Sequence, residues 1–161
     1  MTQELLQKLY DYHPDGYFNH RISRPGCTKG SRALGKKSKN EITLGCAGKL
    51  HRYHRLIFLY HHGFLPVCID HINGDPHDNR IENLRAATHA ENRRNNKLYK
   101  NNTLGFKGLA RAYGGKFVAY LKVNGRVYNS SVSDTVEEAA KKYDKLALKH
   151  HGDFACLNYP S

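Results

Sequence analysis

The chain has 161 residues, 39% of them hydrophobic, and its 26 Lys and Arg against 14 Asp and Glu leave a formal charge of +12. That length suits one medium domain or two small ones with modest cores, and two small domains are expected. Membrane insertion and secretion are not expected. No apolar run reaches the roughly 18 residues of a spanning helix, and Met1-Thr2-Gln3-Glu4 lacks the basic and apolar blocks of a signal peptide, so the expected location is cytoplasmic.

Cys27, Cys46, Cys68 and Cys156 lie far apart with no Cys-x-x-Cys pair. This argues against a zinc knuckle or a disulfide framework and for reduced, mostly buried thiols. The charge is unevenly placed. Residues 1–63 carry 11 basic and 4 acidic side chains, residues 64–105 carry 6 and 5, and residues 106–161 carry 9 and 5. Two basic flanks around a nearly neutral centre suit a polyanion held at both ends, with carboxylates kept where a cation could sit. Charge alone weighs equally for a solvated surface.

In chain order, Leu5, Leu6, Leu9 and Tyr10 have helical spacing within residues 2–12, and His13-Pro14-Asp15-Gly16 stops them. Residues 17–22 suit a strand. Residues 23–40 contain Pro25, Gly26, Gly30 and Gly35 among basic side chains without an apolar period, and read as a mobile basic loop. Residues 41–44 suit a strand, and residues 49–62 a helix through Leu50, Tyr53, Leu56, Ile57 and Tyr60, closed by Gly63. The short apolar run 65–69 would carry a strand into Asp70-His71. After the turn-forming Asn73-Gly74-Asp75-Pro76, residues 84–88 can return as a second strand. Thr88-His89-Ala90-Glu91 then has the form of a capping box that starts a helix, with Asn92 and Asn96 one turn apart on one face.

Residues 97–105 are polar and Asn-rich, which suits a linker. Beyond them, residues 108–112, 116–123 and 126–132 alternate as three strands joined at Gly114-Gly115 and Asn124-Gly125. Residues 135–150 form an amphipathic helix on Val136, Ala139, Ala140, Tyr143, Leu146 and Ala147, behind the capping box Thr135-x-x-Glu138. The expected class is α+β.

Chemistry concentrates at Asp70 and His71, which place a carboxylate beside an imidazole. Asn83 follows His71 by twelve residues and Asn92 follows Asn83 by nine. This spacing, with the preceding His54-Arg55-Leu56-Ile57 helix, resembles the HNH, or ββα-metal, nucleases, particularly the phage-type homing endonucleases. The resemblance implies a strand-loop-strand-helix core with its catalytic motif in residues 65–96. It makes His71 the general base, Asn83 the amide that fastens the catalytic loop, and Asp70 and Asn92 the ligands of one metal ion. Asn96 stands where some relatives carry a further His ligand. Oxygen donors suit Mg²⁺ or Mn²⁺ rather than Zn²⁺. Imidazoles are largely neutral at pH 7 and can take a proton from water. His51, His54, His61 and His62 are expected on a helix surface or facing DNA, and His77, His89, His150 and His151 likewise outside any site.

Residues 106–160 resemble the AP2 DNA-binding domain. The most specific parts are the helix Glu137-Glu138-Ala139-Ala140-x-x-Tyr143-Asp144 and the tail Ala155-x-Leu157-Asn158-Tyr159-Pro160. Phe117 stands where Trp is usual, and Ser130-Ser131 replaces a Leu-Gly step. The expected division is a nuclease domain over 1–96 with a basic N-terminal extension, a linker over 97–105, and an AP2-like domain over 106–161.

Expected DNA contacts are Arg24, Lys29, Arg32, Lys36, Lys37 and Lys39 in the basic loop and Arg93 and Arg94 beside the metal motif. Arg111, Lys116, Lys122 and Arg126 are candidates on the AP2-like sheet, where a one-residue change of register would turn them to the other face. The combined reading is a phage-type, metal-dependent endonuclease acting on double-stranded DNA in the host cytoplasm. As a monomer it would nick one strand, and a dimer would be needed to cut both together. The competing class is a DNA-binding regulator that retains an HNH scaffold. An RNA-binding role is opposed by the absence of the aromatic motifs of single-strand readers.

Overall fold

A computed structural model describes residues 1–95, 98 and 102–160. The chain forms two compact units, Met1–His89 and Ala90–Ser161. The first opens with α1 (Gln3–Leu9), capped by Thr2, whose hydroxyl accepts from the Leu5 N–H. The helix ends before residue 12 because β1 (Tyr10–His13) pairs antiparallel with β2 (Tyr17–His20). Tyr10 and Phe18 are fully buried and stack at 5.2 Å. This ring burial outweighs the helical spacing of the apolar residues before it.

A three-stranded sheet follows, built from β3 (Lys36–Lys37), β4 (Ile42–Cys46) and β5 (Lys49–Arg52) in that order. The helix expected over 49–62 is therefore shortened from its N-terminal side. Ala47 and Gly48, both at positive φ, turn the chain back onto β4, and the ladder takes residues 49–52 before α2 (Tyr53–His62) begins. Gly63, at φ 76°, closes α2 in the left-handed conformation. The basic segment before β3 is not free of core. Ala33 is buried and its N–H bonds the Phe18 carbonyl at 2.7 Å. The Tyr53 hydroxyl donates to the Ala33 carbonyl at 3.0 Å and accepts from the Phe18 N–H at 2.8 Å.

The apolar face of α2, Leu56, Ile57, Phe58 and Leu59, packs with Leu6, Leu44, Ile69 and Leu84 into one core. Ile69 and Leu84 come from an antiparallel pair, β6 (Cys68–His71) and β7 (Leu84–Ala87). The residues flanking Ile69 therefore stand directly on the core of the first unit. A helix α3 (His89–Arg94) follows and crosses the division between the units.

In the second unit β8 (Leu109–Arg111), β9 (Phe117–Val123) and β10 (Arg126–Asn129) form an antiparallel sheet with β9 central. The β9–β10 turn uses Asn124 at φ 49° and Gly125 at φ 83°, as a tight hairpin requires. Against the sheet lies α4 (Val136–His151), whose Ala139, Ala140, Tyr143 and Ala147 form a core with Leu109, Ala119 and Leu121. Gly108, at φ 69°, lies so close to Tyr143 that a β-carbon would strike its ring.

The buried Asp144 accepts from the N–H groups of Asn158 and Tyr159 at 2.8 and 3.0 Å. Asn158 in turn accepts from the Lys107 N–H at 2.7 Å and donates to the Lys107 carbonyl at 3.2 Å. These bonds strap the C-terminal tail onto α4 and the approach to β8. Cys46 is buried, while Cys27, Cys68 and Cys156 are half-buried, and all four are free. No helix among the described residues is long and apolar enough to cross a membrane.

Candidate functional site

The register of β6 and β7 sets Asp70 opposite Arg85 and His71 opposite Leu84. Cross-strand partners share a face of the ladder, so Asp70 and Arg85 meet. The Asp70 side chain is only 5% exposed, and Arg85 reaches its Oδ2 with Nε at 2.9 Å and Nη2 at 2.7 Å. A carboxylate this buried needs charge-assisted partners to offset lost hydration.

The loop from His71 to Leu84 is tied through amides and carboxylates. Asn83, itself buried, accepts from the Asn73 N–H at 3.0 Å and donates to Asn73 Oδ1 at 3.1 Å and the Asp78 carbonyl at 2.8 Å. Its own carbonyl accepts from the Ile72 N–H at 2.9 Å. Asn73 Nδ2 donates to Asp78 Oδ2 at 2.7 Å, and Arg80 holds both Asp78 oxygens at 2.8 and 2.7 Å. The Arg80 guanidinium holds the Asp78 carboxyl down at about 2, so the tie persists across ordinary pH.

This loop delivers Asn79 to His71. Asn79 is 2% exposed and its Oδ1 lies 3.0 Å from His71 Nε2. An amide oxygen only accepts, so in this pairing Nε2 is the donor. His54, on the first turn of α2, stands edge-on to His71 with ring centroids 5.2 Å apart. Burial, aided by His71, Arg52 and Arg55, pushes His54 down to about 4. At neutral pH it is an uncharged wall beside His71.

The peptide that carries Asn79 is supported from the β1–β2 turn. Gly16 has φ 81°, and a β-carbon there would collide with the Arg80 nitrogen and the Asn79 carbonyl carbon. The Tyr12 hydroxyl accepts from the Ile81 N–H at 2.9 Å. The first hairpin of the chain therefore buttresses the loop that orients His71.

Other expected contacts are distributed differently. Lys29, Lys36, Lys37 and Lys39 are exposed. Arg24 instead turns inward, half-buried, donating to the Tyr10 hydroxyl at 3.2 Å, and Arg32 lies over the Tyr17 ring at 4.0 Å. Asn92, Arg93 and Arg94 lie on α3 in the second unit, while Asn96 falls outside the described residues, as do parts of the expected linker. On the three-stranded sheet, Arg111 pairs with Phe117 and Arg126 with Val123, both on the side that packs α4. Lys116 pairs with Asp134 at 3.0 Å. Lys122, opposite Val127, faces away with Tyr120. Lys122 is thus on the outward face of the sheet, and Arg111 and Arg126 are on the other.

His54, expected on a helix surface or facing DNA, stands on α2 beside His71. Asn79 and Arg85 lie within the motif region but were assigned no role from sequence. Arg85 could have been found by pairing the two predicted strands from His71 and Leu84 outward. Asn79 carries no such signal, because a buried amide and a loop amide look alike in sequence.

Asp70, one residue before His71, is a buried carboxylate whose Oδ2 is held by Arg85, and no group of three or more His, Cys, Asp or Glu gathers among the described residues. That donor chemistry fits a hard cation completed by amide, phosphate and water oxygens, not a closed Cys/His zinc centre.

A strand pair, a tied loop and an oriented histidine define the class that the comparisons name: residues 51–94 match the HNH endonuclease family model. The chain belongs to the family of "Protein 3.8" of Escherichia phage T7, with 35% identity over 88 residues, covering 54% of this chain and 72% of that protein. No solved structure matches.

Proposed function

We propose that the protein is a metal-dependent endonuclease that hydrolyses phosphodiester bonds in double-stranded DNA, nicking one strand per binding event in the manner of phage homing endonucleases. The observation that supports it most is His71 bonded to the buried Asn79 and adjacent in sequence to the buried Asp70, all inside the region that matches the HNH endonuclease family.

His71 Nδ1 takes the proton from the attacking water, while Asn79 holds Nε2–H and prevents the ring from presenting the other nitrogen. Asn83 keeps the loop in place as the proton moves. Asp70 and Asn92 would hold the divalent ion, Mg²⁺ or Mn²⁺; Asn92 enters on its spacing, nine residues after Asn83. When bound, such an ion supplies positive charge at the scissile phosphate and at the departing 3′ oxygen. The second unit, read as AP2-like, and the exposed lysines of residues 23–40 would hold the flanking duplex through its phosphates.

Incubating the full chain with supercoiled plasmid, with Mg²⁺ and then with EDTA, tests this reading. Relaxed circles that form only with the metal are expected. Metal-independent gel shifts without any cleavage would overturn it and leave a DNA-binding protein on an HNH scaffold. Asp70→Ala and Asn92→Ala should each raise the metal concentration needed for half-maximal cleavage, Asp70→Ala more so because it removes the ligand charge. If both leave it unchanged, the ligand assignment is wrong.

A further inference from the structure

Within the second unit, five nitrogen-bearing side chains line one pocket. Arg93 and Arg94 come from α3, Lys107 from the approach to β8, Lys122 from β9 and His151 from the end of α4. The cavity measures about 290 Å³ and its lining includes the core residues Leu121 and Tyr143. None of its lining residues is acidic. Four formally positive side chains lining one cavity create a potential that attracts an anion.

Arg93 and Lys122 are exposed at the pocket's mouth, and Arg94, Lys107 and His151 are half-buried behind them. Lys107 Nζ donates to the Arg94 carbonyl at 2.8 Å, which joins α3 to the strand approach. The Lys107 backbone is clamped on both sides by Asn158, and Asn158 is anchored by the buried Asp144. Burial, with Arg94, Lys107 and His150, holds His151 down at about 4. At neutral pH the imidazole is therefore uncharged and keeps one N–H to donate. Arginine forks, an ammonium and a neutral N–H together match a tetrahedral anion with several oxygens.

We propose that this pocket binds a phosphate group, supplied by the DNA backbone or by a free phosphate compound. The backbone source rests on the nuclease reading above, and the pocket itself does not. If DNA fills it, part of the grip on the duplex comes from α3, the end of α4 and Lys122 of β9 together.

The His151 ring resonances of the full chain report on occupancy. Inorganic phosphate would be titrated against chloride at constant ionic strength, and a short duplex would be added to the His71→Ala protein, which is expected not to cut it. Both ligands should shift the His151 signals, and Arg93→Gln with Lys122→Gln should abolish the shift. The same pair should weaken duplex binding several-fold and flatten its salt dependence by about one unit of slope, as loss of one phosphate contact requires. Lys149→Gln, exposed on the last turn of α4 and outside the pocket, should change none of these and controls for folding. A shift with inorganic phosphate but not with duplex would assign the pocket to a free phosphate compound. No shift with either overturns the proposal. A shift with phosphate in a protein that never cleaves plasmid would retire the nuclease reading and leave the pocket standing.

Discussion

The polar groups of the two units are arranged in opposite ways. In the first, they turn toward each other: Asp70 to Arg85, His71 to Asn79, and Asn83 to both ends of its loop. In the second, the cations around the α3 pocket have no acidic residue in its lining. The difference follows from two physical demands. Orienting a proton acceptor requires side chains already locked by hydrogen bonds, since any freedom is paid back as lost rate. Gripping a polyanion requires positive charge whose counter-ion arrives from outside and displaces solvent ions. On the proposed function, the first unit would serve chemistry and the second retention.

The sharpest way to break this comparison is at His71. His71→Ala should lower cleavage about 100-fold or more while leaving duplex affinity nearly unchanged, as measured by single-turnover cleavage and gel shift. Cleavage at close to the native rate would move the chemistry elsewhere. Asn79→Ala should lower kcat about tenfold with little change in KM, and the His71 ring nitrogens should show mixed tautomers by ¹⁵N NMR. Asn79→Asp, which keeps an acceptor, should restore most of both. A purely structural role for Asn79 would destabilise the fold without moving the ring nitrogens.

A pair of glycine substitutions compares the units directly. Gly16→Ala and Gly108→Ala each force a side chain onto a positive φ and into packed neighbours, and each should cost about 2 kcal/mol by denaturant unfolding. Gly16→Ala should also depress kcat, because it pushes on the Asn79 peptide. Gly108→Ala should disturb DNA retention instead. If both alter kcat alike, the separation of tasks is wrong.

The smallest expected effect is on pH. His54 and His151 are both held near 4 in the folded state, below the unfolded value of about 6.5. Between those values the unfolded chain binds protons that the folded chain refuses, so stability is full above about pH 6.5 and falls on acidification toward pH 4. The Asp78 contribution is lost only below about pH 3.8, outside this window. Denaturant midpoints at pH 7 and pH 4.5 should differ, and His54→Gln or His151→Gln should each shrink the difference. An unchanged difference would mean that neither imidazole is protonated on unfolding.

What could be read from residues alone were features that depend on neighbours in sequence. The strand-loop-strand-helix order around Asp70, the Asn124-Gly125 hairpin, the Gly63 stop and the α4 capping box all follow from local geometry and short-range hydrogen bonds. The mixed α+β class followed from them. Where two local outcomes were close in energy, tertiary pairing chose. Residues 10–13 and 49–52 were expected at the ends of helices, yet each joins a strand: the first is paired with β2 and buries Tyr10, and the second is hydrogen-bonded to β4. The spacing of Asp70, His71 and Asn83 was likewise visible, because a motif is a distance along the chain. Asn79 behind His71, His54 at its edge, Gly16 beneath the loop and Arg85 on Asp70 were decided by the fold. So was the pocket that gathers Lys107 and His151 with Arg93. Burial and register are properties of three-dimensional neighbours, and side chains separated by 8 to 63 residues acquire them only when the core closes.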